Sequence, residues 1–502
     1  MAKNDFQLTD RPRETIEVTI DDGRVIVGKR GAPLESFINV IQGPNQPLIV
    51  GAIVGWSLRE LTYRVHKDEA ISLVTVKDAD GARIYRRSLI FLLEVAFRRC
   101  FPEGILSVDH SVTSGGYYCH VEGLPGFGQP QLDEIKAVMR EIVAQNVPFQ
   151  RETVPLQEAV EYFRSSGEED KVRLLKYRQR NDLVLYRVGD TRDYHHGYLV
   201  PSSGYLQWFE LTWIDNAFIL RYPRRSNPRA IEPVVSSPNL LKTFREYREW
   251  LSRLGIPSVG ALNDAIQAGH IDEVILVSEA LHEMQISEIA QQIDKHKERI
   301  KVILIAGPSS SGKTTFSKRL SIQLLARGIS PFALEMDNFF VDRELTPIGK
   351  HGTRDFEALE ALDLVRLNHD VRALSAGEEV RLPHYNFLSG LREEGEVVQL
   401  SKGEIIILEG IHGLNPNLLT GLNKRNAFRI YVSCLTQLNL DRHNRISTTD
   451  TRLLRRILRD ARDRGYSAAQ TISCWEVVRL GEKDHSFPYQ ENTDVIFNYA
   501  LV

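Results

Sequence analysis

The spacing of hydrophobic and polar positions changes several times along this chain, and the changes divide it. Residues 15–20 alternate, with Ile16, Val18 and Ile20 on one face, the period of a half-buried strand. Asp21-Asp22-Gly23 reads as a hairpin turn and residues 25–27 as the return strand. A helix beginning within 33–37 and strands at 48–54 and 70–76 complete a first domain, residues 1–77. It reads as a β-grasp-like module, and the pattern alone suits another small α+β domain equally well. Residues 78–81 read as a turn, 85–101 as an apolar-rich helix, and 132–145 and 156–165 as amphipathic helices. Strand-like runs return over 183–222, so residues 78–235 form a second α+β domain.

From residue 240 the period is helical. One helix ends at Gly255, which suits a C-cap, and others follow at 259–268, 272–284 and 286–296. Residues 236–298 are therefore expected to be a helical connector. The last domain, 299–502, opens on the continuous apolar run 302–305, the pattern of a buried parallel strand. Further short apolar runs at 331–334, 405–408, 428–432 and 495–497 alternate with helical stretches. That predicts an α/β fold, a parallel sheet with helices on both faces.

The chemistry begins where the first of these runs ends. Gly307, four residues, Gly312, Lys313 and Thr314 match G-x-x-x-x-G-K-[ST], followed by a helix carrying Phe316, Leu320, Ile322 and Leu325. The glycines let the backbone N–H groups of Ser309, Ser310, Ser311, Gly312 and the helix start through Thr315 face phosphate oxygens. Lys313 would reach the β- and γ-phosphates of ATP, and the Thr314 hydroxyl would ligate Mg²⁺. Asp337, just past the second apolar run, stands where a base could take a proton from an attacking hydroxyl. Glu409 closes the third run as a Walker B carboxylate would, near the same Mg²⁺. The helix expected at 450–464 carries Arg452, Arg455, Arg456, Arg459, Arg462 and Arg464, which suits a lid over a triphosphate. The same residues could instead form a solvated helix ion-paired to Asp460 and Asp463.

Composition restricts the rest. Hydrophobic content of 42%, charged content of 26% and a formal net charge of −3 over 502 residues describe an ordinary globular chain without a global basic field. No apolar run approaches membrane-spanning length, and residues 1–14 have no apolar core for a secretory signal. The cysteines Cys100, Cys119, Cys434 and Cys474 are widely separated, as expected for a reducing cytoplasm. His282-Glu283 begins H-E-x-x-H but Ile286 breaks it. The stretch with Arg221, Arg224, Arg225 and Arg229 reads as an interdomain linker, with RNA phosphate contact the alternative.

On its phosphate loop, the Asp337 segment, Pro383-His384-Tyr385-Asn386-Phe387, residues 408–414 and residues 455–465, the last domain resembles uridine/cytidine kinases and the phosphoribulokinase-like family. That resemblance implies Asp337 as general base on a ribose 5′-hydroxyl and Asp355 gripping ribose hydroxyls. It implies Tyr385 and Phe387 lining a nucleoside pocket, and Arg456, Arg459 and Arg464 on ribose and phosphates. The family's base-reading His corresponds to Gly390, a pocket Tyr to Phe340 and a lid Arg to Tyr466. The expected activity is Mg-ATP-dependent phosphorylation of a nucleoside. The alternatives are a sugar phosphate or other small alcohol as acceptor, or an ATP-switched RNA-binding protein.

The early strand pair with Asp22-Gly23, Tyr85-Arg86-Arg87-Ser88, Gly115-Gly116-Tyr117-Tyr118 and residues 195–206 resemble the N-terminal half of threonyl-tRNA synthetases, a TGS module followed by an editing domain. RNA or tRNA contact through this half is what the resemblance implies. The editing family's His-x-x-x-His and Cys-x-x-x-His positions correspond to Arg87, Phe91, Thr191 and His195. Editing chemistry is therefore expected to be lost, and His195-His196 and Cys119-His120 are expected to be ordinary hydrogen-bonded groups.

Overall fold

The computed structural model describes residues 13–113, 115–349, 352, 354–386 and 389–501. Phe387 and the first residues of the expected first domain lie outside the described residues. The chain divides into two compact units. One is Met1–Val235 with Leu440–Arg445, the other Ser236–Asn439 with Ile446–Val502.

In the first unit, β1 (Thr15–Ile20), β2 (Val25–Lys29), α1 (Leu34–Ile38), β3 (Ile49–Val54), β4 (Ser57–Glu60) and β5 (Glu69–Thr75) form a sheet of order β2-β1-β5-β3-β4. The β1–β5 pair is parallel and the other pairs are antiparallel. Ile16, Val18 and Ile20 point inward onto Leu34 and Phe37, so the alternation that marked the strand also seats the helix. This is the β-grasp arrangement.

Helix α2 (Ala79–Cys100) begins earlier than its apolar period indicated. The expected turn at 78–81 is its first turn, because the Asp78 carboxylate accepts from the Thr75 N–H (2.7 Å) and hydroxyl (2.8 Å) and fixes the chain entering the helix. There follow β6 (Ile105–Val112), β7 (Gly116–Glu122), α3 (Gln129–Ala144), β8 (Gln150–Pro155), α4 (Leu156–Ser165), α5 (Glu169–Leu175), β9 (Asp182–Val188), β10 (Thr191–Asp193), β11 (Glu210–Ile214) and β12 (Ala217–Arg221). They form sheets of order β11-β12-β7-β6 and β10-β9-β8. Helix α2 is the core of this region, with Leu89, Phe91, Leu92, Leu93 and Ala96 fully buried among residues of α3 and both sheets. The arginines after β12 clip segments of this unit together. Arg224 donates to Thr113 O (2.8 Å), Arg225 to Lys77 O (2.8 Å) and Arg229 to Pro44 O and Gln46 O (2.6 Å each).

The second unit starts with α6 (Pro238–Arg253), α7 (Val259–Gln267) and α8 (Ile271–Asp294). Gly255, at φ +76°, ends α6 in the left-handed turn that its residue type suggested. The two helices expected at 272–284 and 286–296 are one. No Gly or Pro interrupts the chain there, and Ile286, Ile289 and Ile293 continue the buried stripe of Val274, Ser278 and His282. The end of α8 packs in the same apolar cluster as Ile303, Phe316 and Leu320.

Next come β13 (Val302–Ala306), α9 (Lys313–Leu325), β14 (Pro331–Glu335), α10 (Leu364–Ala376), β15 (Glu379–Asn386), β16 (Leu391–Gln399), β17 (Ile405–Glu409), β18 (Ala427–Ser433), α11 (Thr448–Arg459), α12 (Ala468–His485) and β19 (Val495–Asn498). The central sheet has the order β14-β17-β13-β18-β19 and every pairing in it is parallel. Separate apolar clusters cover it, one with α10 and one with α8 and α9, so the continuous apolar runs are buried on both faces as parallel strands require. The lid helix expected at 450–464 is α-helical only to Arg459, after which Asp460–Arg464 form a π turn ending at Gly465. Among the described residues no helix is long and apolar enough to cross a membrane.

Candidate active site

The parallel register brings three strand ends to one edge. Ile305 of β13 pairs with Glu409 of β17, and Glu409 with Glu335 of β14. The loop after β13, Asp337 just past β14 and the carboxylate ending β17 therefore share the edge where open α/β sheets take ligands.

Close packing shapes the loop. A Cβ on Gly307 would lie 1.9 Å from Val432 O, and one on Gly312 (φ +103°) would lie 2.7 Å from the Tyr499 ring. Ser310 sits in the left-handed region at φ +59°, a strain that a non-glycine residue bears where the loop is held from several sides. The hydroxyls of Ser310 and Ser311 are buried and, among the described residues, have no hydrogen-bond partner. Orphan donors in a loop that ends on the N-terminus of α9 are what a phosphate group would satisfy, so the residues present fit a nucleoside triphosphate.

Lys313 Nζ donates to Gly307 O (3.0 Å) and Pro308 O (3.3 Å), and burial lowers its pKa against the pull of Glu409 and Asp337. The Thr314 hydroxyl donates to Glu409 Oε1 at 2.7 Å, which places together the two groups that would hold Mg²⁺. Thr315 is exposed. Burial raises the Glu409 carboxyl, opposed by the Thr314 hydrogen bond and by Lys313. Asp337 is exposed. Desolvation raises its pKa, with Lys313 opposing and Glu335 adding to the shift. A carboxylate made more basic in this way is suited to accept a proton.

The arginines divide. Arg452 Nε and Nη2 donate to Ser309 O (3.0 and 2.9 Å), Arg455 Nε to Ser310 O (3.0 Å), and Arg456 Nη1 to Ser309 Oγ (2.7 Å). Arg459 and Arg464 instead pair with Asp460, at 3.1 and 3.5 Å, and Arg456 Nε also reaches it at 3.2 Å. Asp460 is 1% exposed. The internal ion pairs and the clamp are thus both present on one segment, and the i,i+4 spacing of Arg456, Asp460 and Arg464 was the visible signal for the former. Sequence reading missed Glu482 of α12, whose Oε1 accepts the Ser309 N–H at 2.8 Å and pairs with Arg452. No local pattern marks it.

Toward the acceptor side, Asp355 Oδ1 accepts the Glu357 N–H (3.0 Å) and its Oδ2 lies 3.5 Å from His485 Nε2. Tyr385 is buried in the β15–β16 hairpin, with its ring 5.5 Å from that of Phe340. A Cβ on Gly390 would lie 2.7 Å from the Arg343 guanidinium, which covers the space a longer side chain there would take.

The first unit holds a different polar cluster. Arg87 donates to Tyr198 O (2.8 Å), and Phe91 stacks edge-on against Phe149 and His195. His120 is bound between Asp109 and Glu122, at 2.9 Å each. One turn along α2, Glu94, Glu168 and His443 bring potential ligand atoms within 4.8 Å of one another. Lys171 Nζ already fills that position, 2.6 Å from Glu168 and from Asp193 and 3.1 Å from His443 Nδ1. His443 comes from Leu440–Arg445. The other residues of that segment are tied in as firmly. The Tyr194 hydroxyl donates to Asp441 (2.6 Å), Arg442 pairs with Asp170 (2.6 Å), and the Val108 N–H donates to Arg442 O (2.8 Å).

Known proteins of two kinds match different parts of the chain. The threonine–tRNA ligase of Methylococcus capsulatus is 35% identical over 162 residues, 32% of this chain and 25% of that protein. The one from Aromatoleum aromaticum is 32% identical over 203 residues, 40% of this chain and 32% of that protein. The chain thus spans about a third or less of the length of these relatives. Among solved structures, a possible uridine kinase from Bacillus stearothermophilus is similar at 20% identity, covering 42% of this chain and all of that one, with a TM-score of 0.27. A putative fructose transport system kinase from Silicibacter is similar at 16% identity, covering 42% of this chain and 98% of that one, with a TM-score of 0.30. Residues 302–500 match the model of the Phosphoribulokinase / Uridine kinase family, so the second unit carries a P-loop kinase domain of that type.

Proposed function

We propose that the second unit transfers the γ-phosphoryl group of ATP to the 5′-hydroxyl of a nucleoside. The observation that carries this reading is the convergence of Lys313, the Thr314–Glu409 pair and Asp337 at the ends of three adjacent parallel strands. The Ser310 and Ser311 hydroxyls and the loop N–H groups hold the triphosphate, and Arg452, Arg455 and Arg456 stand over the loop to neutralise it. Mg²⁺ held by Thr314 and Glu409 would withdraw charge from the transferring group. Asp337 takes the proton of the attacking hydroxyl, and Asp355 and Tyr385 shape the acceptor side. The test is phosphoryl transfer from Mg-ATP by the full chain against a panel of nucleosides. Transfer that is lost in Asp337→Asn while ATP binding persists supports the reading, and ATP binding without transfer to any nucleoside defeats it.

A second reading keeps the chemistry and changes the acceptor to another small alcohol. It is favoured by Gly390 with Arg343 laid against it, since a site without a base-reading side chain selects a base only weakly. For the first unit, the matches to threonine–tRNA ligases support RNA contact as its role. The readout is retention of labelled tRNA by the full chain.

A further inference from the structure

The first unit holds a cavity of about 450 Å³ that the Lys171 cluster does not line. It lies beside β4, the edge strand of the β-grasp sheet, and the start of β8 in the domain that follows. Part of its lining is already settled. The Tyr186 hydroxyl donates to Glu60 Oε2 (2.7 Å), and Arg151 Nε lies 3.3 Å from Glu60 Oε1, so that carboxylate and that guanidinium offset each other. Phe149 is buried with its ring edge-on to Phe91, and the Tyr198 carbonyl is held by Arg87, so these walls are preformed. Two cations remain. Arg59 and Arg64 line the cavity, and among the described residues neither pairs with a carboxylate. Arg64 Nη1 donates to Gly31 O (2.9 Å). The Arg59 guanidinium lies 5.3 Å from the Tyr63 ring centre, and its Nε is buried without a hydrogen-bond partner among the described residues. A buried donor left in this state is a standing cost that an anion would relieve.

We propose that this cavity binds a free mononucleotide, with its phosphate between Arg59 and Arg64 and its base against the aromatic wall. Three arginines against one glutamate leave the lining two positive charges in excess. A phosphate monoester, at about −1.5 to −2 near neutrality, matches that excess better than the single charge of a carboxylate. Planar guanidiniums also meet phosphate oxygens through paired N–H donors. Beside them the rings of Tyr63, Phe149 and Tyr198 supply the flat apolar surface on which a base rests. The volume falls in the range of small-ligand pockets and suits one nucleotide. The site is built from the first unit alone and stands independently of the kinase reading.

The experiment titrates UMP, AMP, uridine and inorganic phosphate into the full-length chain by calorimetry. Lys313→Met is the background throughout, so that the phosphate loop does not capture the probe. Expected is a site for UMP and AMP that uridine and phosphate, each offering only part of the contacts, occupy at least about tenfold more weakly. Arg59→Gln should raise the Kd of that site at least about tenfold and reduce its dependence on salt. Arg64→Gln changes an exposed side chain and should raise the Kd less, and it carries the test if Arg59→Gln loses its thermal transition. Absence of binding by either mononucleotide, or a Kd that either folded variant leaves unchanged, overturns the assignment. Retention of labelled tRNA that falls in Arg59→Gln, while mononucleotides do not bind, overturns it too, because the cavity would then serve an RNA chain.

Discussion

Each unit gathers charged side chains away from bulk water, and the two sets are finished differently. Around Lys171 the charges are paired with one another, although both Glu94 oxygens have no hydrogen-bond partner among the described residues. Burial, reinforced by Asp193, drives Glu94 toward its neutral form, and Glu168 and Asp193 then stand against Lys171 and Arg98. Burial opposes the ionisation of Asp193, but Lys171 and His443 hold its pKa well below the ordinary range. At the phosphate loop the groups are left short. The Ser310 and Ser311 hydroxyls have no partner among the described residues, the Lys313 pKa is lowered and that of Asp337 raised. A buried network with its partners in place specifies a structure, whereas one with donors to spare is prepared for a ligand. The cluster around Lys171 is largely of the first kind.

The sharpest way to break this contrast is at the reacting carboxylate. Asp337→Asn should lower phosphoryl transfer by about 10²–10⁴-fold in a steady-state assay while ATP binding is kept, because it removes proton acceptance and little else. Next, Lys171→Met should cost about 3–5 kcal/mol in urea denaturation of the first unit, since it strands Glu168 and Asp193 without their cation. Lys313→Met should change stability by less than about 1 kcal/mol, since burial already disfavours its charge, even as nucleotide binding is lost. Equal costs for the two lysines would erase the distinction. The smallest effect is with pH. Burial pushes the His195 pKa down to about 3, so between that value and the ordinary value near 6.5 the unfolded chain binds more protons than the folded one. The contribution of His195 is complete above about pH 6.5 and is lost as pH falls toward 3. Thermal melts of His195→Gln should show a shallower loss over that range.

Contacts made within a short stretch were legible in the sequence and distant ones were not. The phosphate loop is contiguous, and Asp337 and Glu409 stand at the ends of apolar runs, so residue order alone brought them forward. Asp460 was legible as an ion-pair partner for its arginines, because Arg456 and Arg464 flank it one helical turn away. Glu482 binds a loop far back in the sequence, and the Glu357 side chain packs where a Cβ on Gly481 of α12 would lie 2.6 Å from it. Neither leaves a local trace. The break expected between 284 and 286 was a misreading of the opposite kind, a pause in polarity taken for an end where nothing stops the backbone hydrogen bonding.

The return of Leu440–Arg445 to the first unit has a consequence for biosynthesis. Every other residue of that unit is made by Val235, yet Lys171 lacks His443 until most of the kinase domain has been synthesised. At about 5–20 residues per second, that wait is on the order of 10 s or more. During it the N-terminal half is a nascent fold with an unfinished polar interior. A gene truncated before codon 440 would leave it so permanently, and a kinase domain expressed alone would carry the unused hexapeptide just ahead of its arginine helix.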